Sequence, residues 1–175
     1  MIIMTDIKDT SSSSTILREN ITTGLSYPDL VAAFERQLGR LDPAAMGSLV
    51  HRNAPWREVE QEIQRQAGPH GLMILFVANQ GALISLWGVN RRCTLYLVGN
   101  PIIAERILRV DVRAALYVPF RVCLYDDGAP GGAVMSFDRP SSFLAALNRP
   151  ELDEIGVLLD SKIDGVVRTV LANPA

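Results

Sequence analysis

The sequence predicts an α+β domain: an antiparallel sheet with helices packed on one face. Three observations carry that reading. Apolar runs of strand length cluster in the middle and second half, Asp126-Asp127-Gly128 with Gly131-Gly132 joins two of them as a hairpin, and a long amphipathic helix closes the chain. With 175 residues, 48% hydrophobic and 21% charged, the chain has the make-up of one globular domain. At 19.2 kDa it should bury about 70% of its unfolded surface, enough for a core that needs no disulfide or metal.

Residues 1–14 are expected to be a disordered leader, with the serine tract Ser11 to Ser14 and neither the basic start nor the apolar stretch of a signal peptide. A single domain then occupies 15–173. Ile16 to Thr23 reads as an edge strand stopped by Gly24. A helix follows, capped by Ser26, with Pro28 in its first turn, Leu30, Val31, Phe34 and Leu38 as its stripe, and Gly39 at its end. Residues 41–68 form a helical insertion in which Trp56, Val59 and Ile63 recur at spacings of three and four. Leu72 to Ala78 is continuously apolar and hence a central strand, Gly81 to Trp87 a short helix or turn, and Arg91 to Val98 the next strand. Asn100 caps the following helix, with Pro101 at its first position and Ile102, Ile103, Ile107 and Leu108 as its apolar residues. Tyr117 to Tyr125 alternates: Val118, Phe120, Val122 and Leu124 toward the core, Pro119, Arg121, Cys123 and Tyr125 away from it. The strand Ala133 to Phe137 is its antiparallel neighbour. Ser141 is expected to cap a short helix to Leu147, and the last helix runs from about Glu151 to Leu171.

The 17 basic and 19 acidic residues give a net charge of −2, so no single-signed surface draws a phosphate backbone, and no nucleic-acid partner is expected. The run Leu72 to Ala78 is far shorter than the roughly 20 residues of a spanning helix, so no membrane partner is expected either. Cys93 and Cys123 sit in apolar strands and read as buried free thiols of a cytoplasmic protein rather than a bridge. His51 and His70 have no cysteine or carboxylate at a ligand spacing, so neither metal nor cofactor is expected.

The segments Tyr96-Leu97-Val98-Gly99-Asn100-Pro101, Ala114 to Val122, Tyr125-Asp126-Asp127 and Phe137-Asp138-Arg139-Pro140 resemble the domain-of-unknown-function 302 family. The resemblance spans roughly Thr15 to Val170, with its sharp motifs between Tyr96 and Pro140. It implies a TATA-box-binding-protein-like fold, β-α-β4-α with the extra helical insertion, and a homodimer, with no activity attached.

The candidate ligand-binding residues are Arg121, Tyr96, Tyr125, Gly99 and Asn100. Pleat parity sends Arg121 to the open sheet face with Tyr125, and Tyr96 joins them if Leu95 and Leu97 face the core. An arginine among phenols suits a carboxylate or phosphate. The helix start beside Gly99 and Asn100 offers free N–H groups and a positive dipole end. The leading expectation is a homodimer that binds a small anionic or amphipathic molecule on that face or in a cleft beside Gly99–Pro101. Two alternatives stand beside it: a ligand-free structural or interaction homodimer whose partner covers Tyr96, Arg121 and Tyr125, and an enzyme using Cys123 or a carboxylate such as Asp126. No catalytic motif is present, which weighs against the last.

Overall fold

The computed structural model describes residues 11–172. The leader expected over 1–14 therefore lies outside the described residues except for Ser11 to Ser14, which are exposed and without regular structure.

Six strands form one sheet in the order β1-β6-β5-β4-β3-β2. They are β1 (Arg18–Thr22), β2 (Gly39–Arg40), β3 (Met73–Asn79), β4 (Cys93–Gly99), β5 (Phe120–Asp126) and β6 (Ala133–Asp138). All neighbours are antiparallel except the two-residue β2, which runs parallel to β3. The helices are α1 (Tyr27–Arg36), α2 (Pro43–His51), α3 (Trp56–Gln66), α4 (Gln80–Ser85), α5 (Pro101–Val110), α6 (Pro140–Ala145) and α7 (Asp153–Ala172). The mixed α+β architecture expected from the sequence is the one observed.

One core lies between the sheet and the helical layer. Ile74, Tyr96, Val98, Phe120, Val122, Leu124, Met135 and Phe137 point into it from the strands, meeting Leu30 and Phe34 of α1, Ile103 and Ile107 of α5, and Leu159, Ile163 and Val166 of α7. Caps fix where the helices begin. Ser26 accepts the Asp29 amide, and Asp42 accepts those of Ala44 and Ala45. At α6 the expected cap fails: the Ser141 hydroxyl and amide both donate to Asp160 of α7, at 2.6 and 3.1 Å. The helix begins at Pro140 with Arg139 at its N-cap, so Ser141 falls inside the first turn, and its own amide needs the acceptor that Asp160 supplies. Gly156 lets the same two helices close, since a Cβ there would stand 2.7 Å from Ser141 Cα. Asp138 grips Arg18 across β6 and β1, and Arg139 pairs with Glu19 and Asp164, tying the edge strand to α7.

Candidate functional site

At the end of the sheet, where β4 runs into α5, the chain leaves a cavity of about 570 Å³. The sequence builds it from three directions. Val98, Gly99 and Phe120 come from strand ends, Ala104 and Leu108 from α5, and Trp56, Val59 and Ile63 from α3. The three-and-four spacing on α3 puts those residues on one helical face, which forms the outer wall. A bulge between Ile74 and Phe76 sets Leu75 out of register, and Leu75 joins the lining. Glu105 and Arg109, one turn apart on α5, form an ion pair at the rim. The interior is otherwise almost wholly apolar.

Asn100 caps α5 as expected: its Oδ1 accepts the Ile102 amide at 2.8 Å, while its Nδ2 donates to the Gly71 carbonyl at 2.8 Å. That arrangement disfavours an anion at the helix start, because the first free amide is taken and Pro101 has none to offer. The polar surface lies on the other side of Asn100. A shallow groove lined by Gln64, His70, Lys162, Arg168 and Thr169 shares Asn100 with the cavity and contains no carboxylate. Lys162 Nζ donates to the His70 carbonyl, and His70 Nε2 lies 3.2 Å from Thr169 Oγ1. Arg168 is exposed and has no ion-pair partner among the described residues.

The other candidates are elsewhere. Arg121 emerges on the open face between buried Phe120 and Val122, as pleat parity requires, with Cys123 and Tyr125 following on that face. It stands opposite Leu97, and the hollow beside it measures only about 20 Å³. The carboxylates of β5 and β6 are engaged elsewhere: Asp138 with Arg18, and Asp126 with the Gly128 amide and, at 4.0 Å, Arg92. Tyr96 is a correction. It is 1% exposed on the helix side, edge-on to Phe34 at 5.1 Å, with its hydroxyl donating to Glu35 Oε1 at 2.9 Å. The phase of β4 is the reverse of that expected. Thr94, Tyr96 and Val98 face the core while Leu95 and Leu97 face out, because Tyr96 pairs with Val122 and paired residues share a face. Burial first, then the Glu35 carboxylate, holds the Tyr96 phenol well above its usual pKa, so it stays a neutral donor.

The cysteines also differ from expectation. Both are half-buried rather than buried, and their sulfurs lie 3.5 Å apart. Burial, then the contact with Cys93, pushes the Cys123 thiol up to about 12. That is the opposite of an activated nucleophile. Among the described residues no three histidines, cysteines or carboxylates gather as a metal site, and no helix is long and apolar enough to cross a membrane.

A family model described as "Domain of unknown function DUF302" matches residues 48–170, more than two thirds of the chain. The chain belongs to the DUF302 family. The DUF302 match takes in α3 and the end of α2, so most of the helical segment expected as an insertion falls inside it. A solved structure, titled as the crystal structure of an uncharacterized conserved DUF302 protein from Bacillus stearothermophilus, superimposes with a TM-score of 0.61 at 14% identity. It covers 87% of this chain and 97% of that one. At that identity the likeness is one of fold. No curated protein matches the chain.

The α3 stripe and Leu108 were expected as helix packing rather than as walls of a site, and Ala104 was not singled out. A signal was present: Ile102, Ile103, Ala104, Ile107 and Leu108 cover more of α5 than packing on one sheet face uses.

Proposed function

We propose that this DUF302 chain is a small-molecule binding module whose ligand is amphipathic, with its apolar body in the cavity at the end of the sheet. The observation that carries the reading is the cavity itself: about 570 Å³, apolar, and walled by three separate elements. Ligand sites typically run from about 300 to 1,000 Å³ with apolar walls and few polar groups. A carboxylate or phosphate end passing Asn100 would meet Lys162 and Arg168, which accounts for the anionic character expected of the ligand. Gly99 and Asn100 keep a place in this site as lining. Arg121, Tyr125 and Tyr96 do not. Nothing in the lining pairs a nucleophile with a base, so binding rather than turnover is the reading. The cytoplasm fits it, since a reducing pool would keep Cys93 and Cys123 as thiols.

The test is calorimetric titration of the delipidated protein with dodecanoate and dodecanol. Both should bind, both should be lost in Ala104→Trp, and only the carboxylate should weaken in Arg168→Glu. Failure of either ligand to bind the wild type, or retention of both in Ala104→Trp, overturns the proposal.

One further observation favours self-association as a second property. Phe76, Leu83, Ile84, Leu86 and Trp87 are each exposed, along β3, α4 and the turn after it, with Trp87 90% exposed. An exposed apolar stretch of this kind marks an interaction surface, and a second copy of the chain is the occupant the DUF302 resemblance implies. Sedimentation of wild type and Trp87→Glu tests it: a dimer that the substitution converts to monomer supports the homodimer, and a wild-type monomer overturns it.

A further inference from the structure

The chain has two cysteines, 30 residues apart, and the fold sets their sulfurs 3.5 Å from each other. They lie on neighbouring strands and the same open face. Cys93 is opposite Tyr125 and Cys123 opposite Leu95, so the two thiols are diagonal neighbours across one antiparallel ladder. Both are half-buried, which leaves a small oxidant a path to them. We propose that Cys93 and Cys123 are a reversible redox pair, closed to an intramolecular disulfide by a hydroperoxide and reopened by a dithiol.

The chemistry balances in two steps. Cys93 Sγ attacks one peroxide oxygen, the O–O bond breaks, the departing alkoxide leaves as the alcohol with the thiol's proton, and Cys93 becomes a sulfenic acid. Cys123 Sγ then attacks Cys93 Sγ, the S–O bond breaks, and the hydroxyl leaves as water with the Cys123 proton. Two thiols and one hydroperoxide give one disulfide, one alcohol and one water. The two sulfurs face each other across the ladder, and the same products form whichever of them is oxidised first.

Position also bears on reversibility. Both sulfurs are half-buried rather than enclosed, so a formed bridge stays within reach of a small dithiol, and accessible bridges are the labile ones.

The test treats the reduced full-length protein with hydrogen peroxide and reads intact mass and peptide maps. Expected is a loss of about 2 Da from a Cys93–Cys123 crosslink, restored by dithiothreitol. In Cys123→Ser dimedone should trap Cys93, and in Cys93→Ser it should trap Cys123, since each variant stops at the sulfenic acid for want of a resolving thiol. The pair is overturned if wild-type mass rises by oxygen additions, if disulfide-linked dimers form instead, or if both thiols stay alkylatable. The wild-type readouts need no variant to fold.

Discussion

Lengthening a bound carboxylate one methylene at a time probes the cavity directly. Each buried CH₂ contributes about 0.8 kcal/mol, or roughly a fourfold change in Kd. The cavity sets where this stops. At the ~30 Å³ that a water occupies in the liquid, 570 Å³ corresponds to about nineteen such groups, which sets the scale of chain the cavity takes. Affinity should therefore climb steadily from octanoate and level off before about eighteen carbons. Thermal scanning gives the same result independently. Free ligand at 100 times Kd stabilises by about 2.7 kcal/mol, which for a chain of this size raises Tm by about 5–11 °C. Affinity that does not change with chain length, or that climbs identically in Ala104→Trp, would refute the reasoning.

Gly156→Ala should destabilise although alanine is the better helix former. The new Cβ meets the α6 backbone at 2.7 Å, and overpacking of about 1–3 kcal/mol outweighs a propensity gain of about 1. A Tm equal to or above wild type would contradict the close α6–α7 contact. Tyr96→Phe should cost about 1 kcal/mol in chemical denaturation, because Glu35 keeps Arg40 and gains water when the phenol is lost. No loss would mean that the buried hydrogen bond contributes nothing. Stability should fall as pH rises from 9 toward 12. Cys123 near 12 and the raised Tyr27 and Tyr96 keep protons in the fold that the unfolded chain releases, so the native state binds more protons in that window. Denaturant midpoints at pH 8, 9, 10 and 11 should decline, less steeply in Cys123→Ser, and a flat profile would count against the assignment. Arg121→Ala should leave both dodecanoate affinity and folding stability within about 0.5 kcal/mol of wild type, whereas a lost ligand would return the site to the sheet face.

Local signals in the sequence were faithful where the chain depends on neighbours close in sequence. Asn100-Pro101 reads as a cap and first-turn pair and is one, and the alternation of β5 carries Arg121 outward because Phe120, Val122 and Leu124 mark the other face. β4 misled because Leu95, Tyr96, Leu97 and Val98 are apolar on both sides, so nothing polar fixes the phase, and a one-residue slip exchanges the faces. Only the pairing with Val122 and the packing on Phe34 decide it. The capping of α6 by Asp160 was equally invisible, since it joins groups 19 residues apart. The two-residue β2 is too short to leave a pattern, and it is what makes the sheet mixed. Of the candidate site, Gly99 and Asn100 were legible from the turn itself. A cleft beside them was expected, but its walls were not legible, because they come from α3, α5 and strand ends that only the tertiary fold assembles.

The most direct measurement is photo-crosslinking with a long-chain carboxylate carrying a diazirine at mid-chain, followed by peptide mapping. Adducts on residues 98–108 and 118–120, together with Trp56, Val59 or Ile63, are the expected result. Adducts confined to the open face around Arg121, or to the exposed segment around Trp87, would contradict the claim that the hollow at the end of the sheet is where this protein holds its ligand.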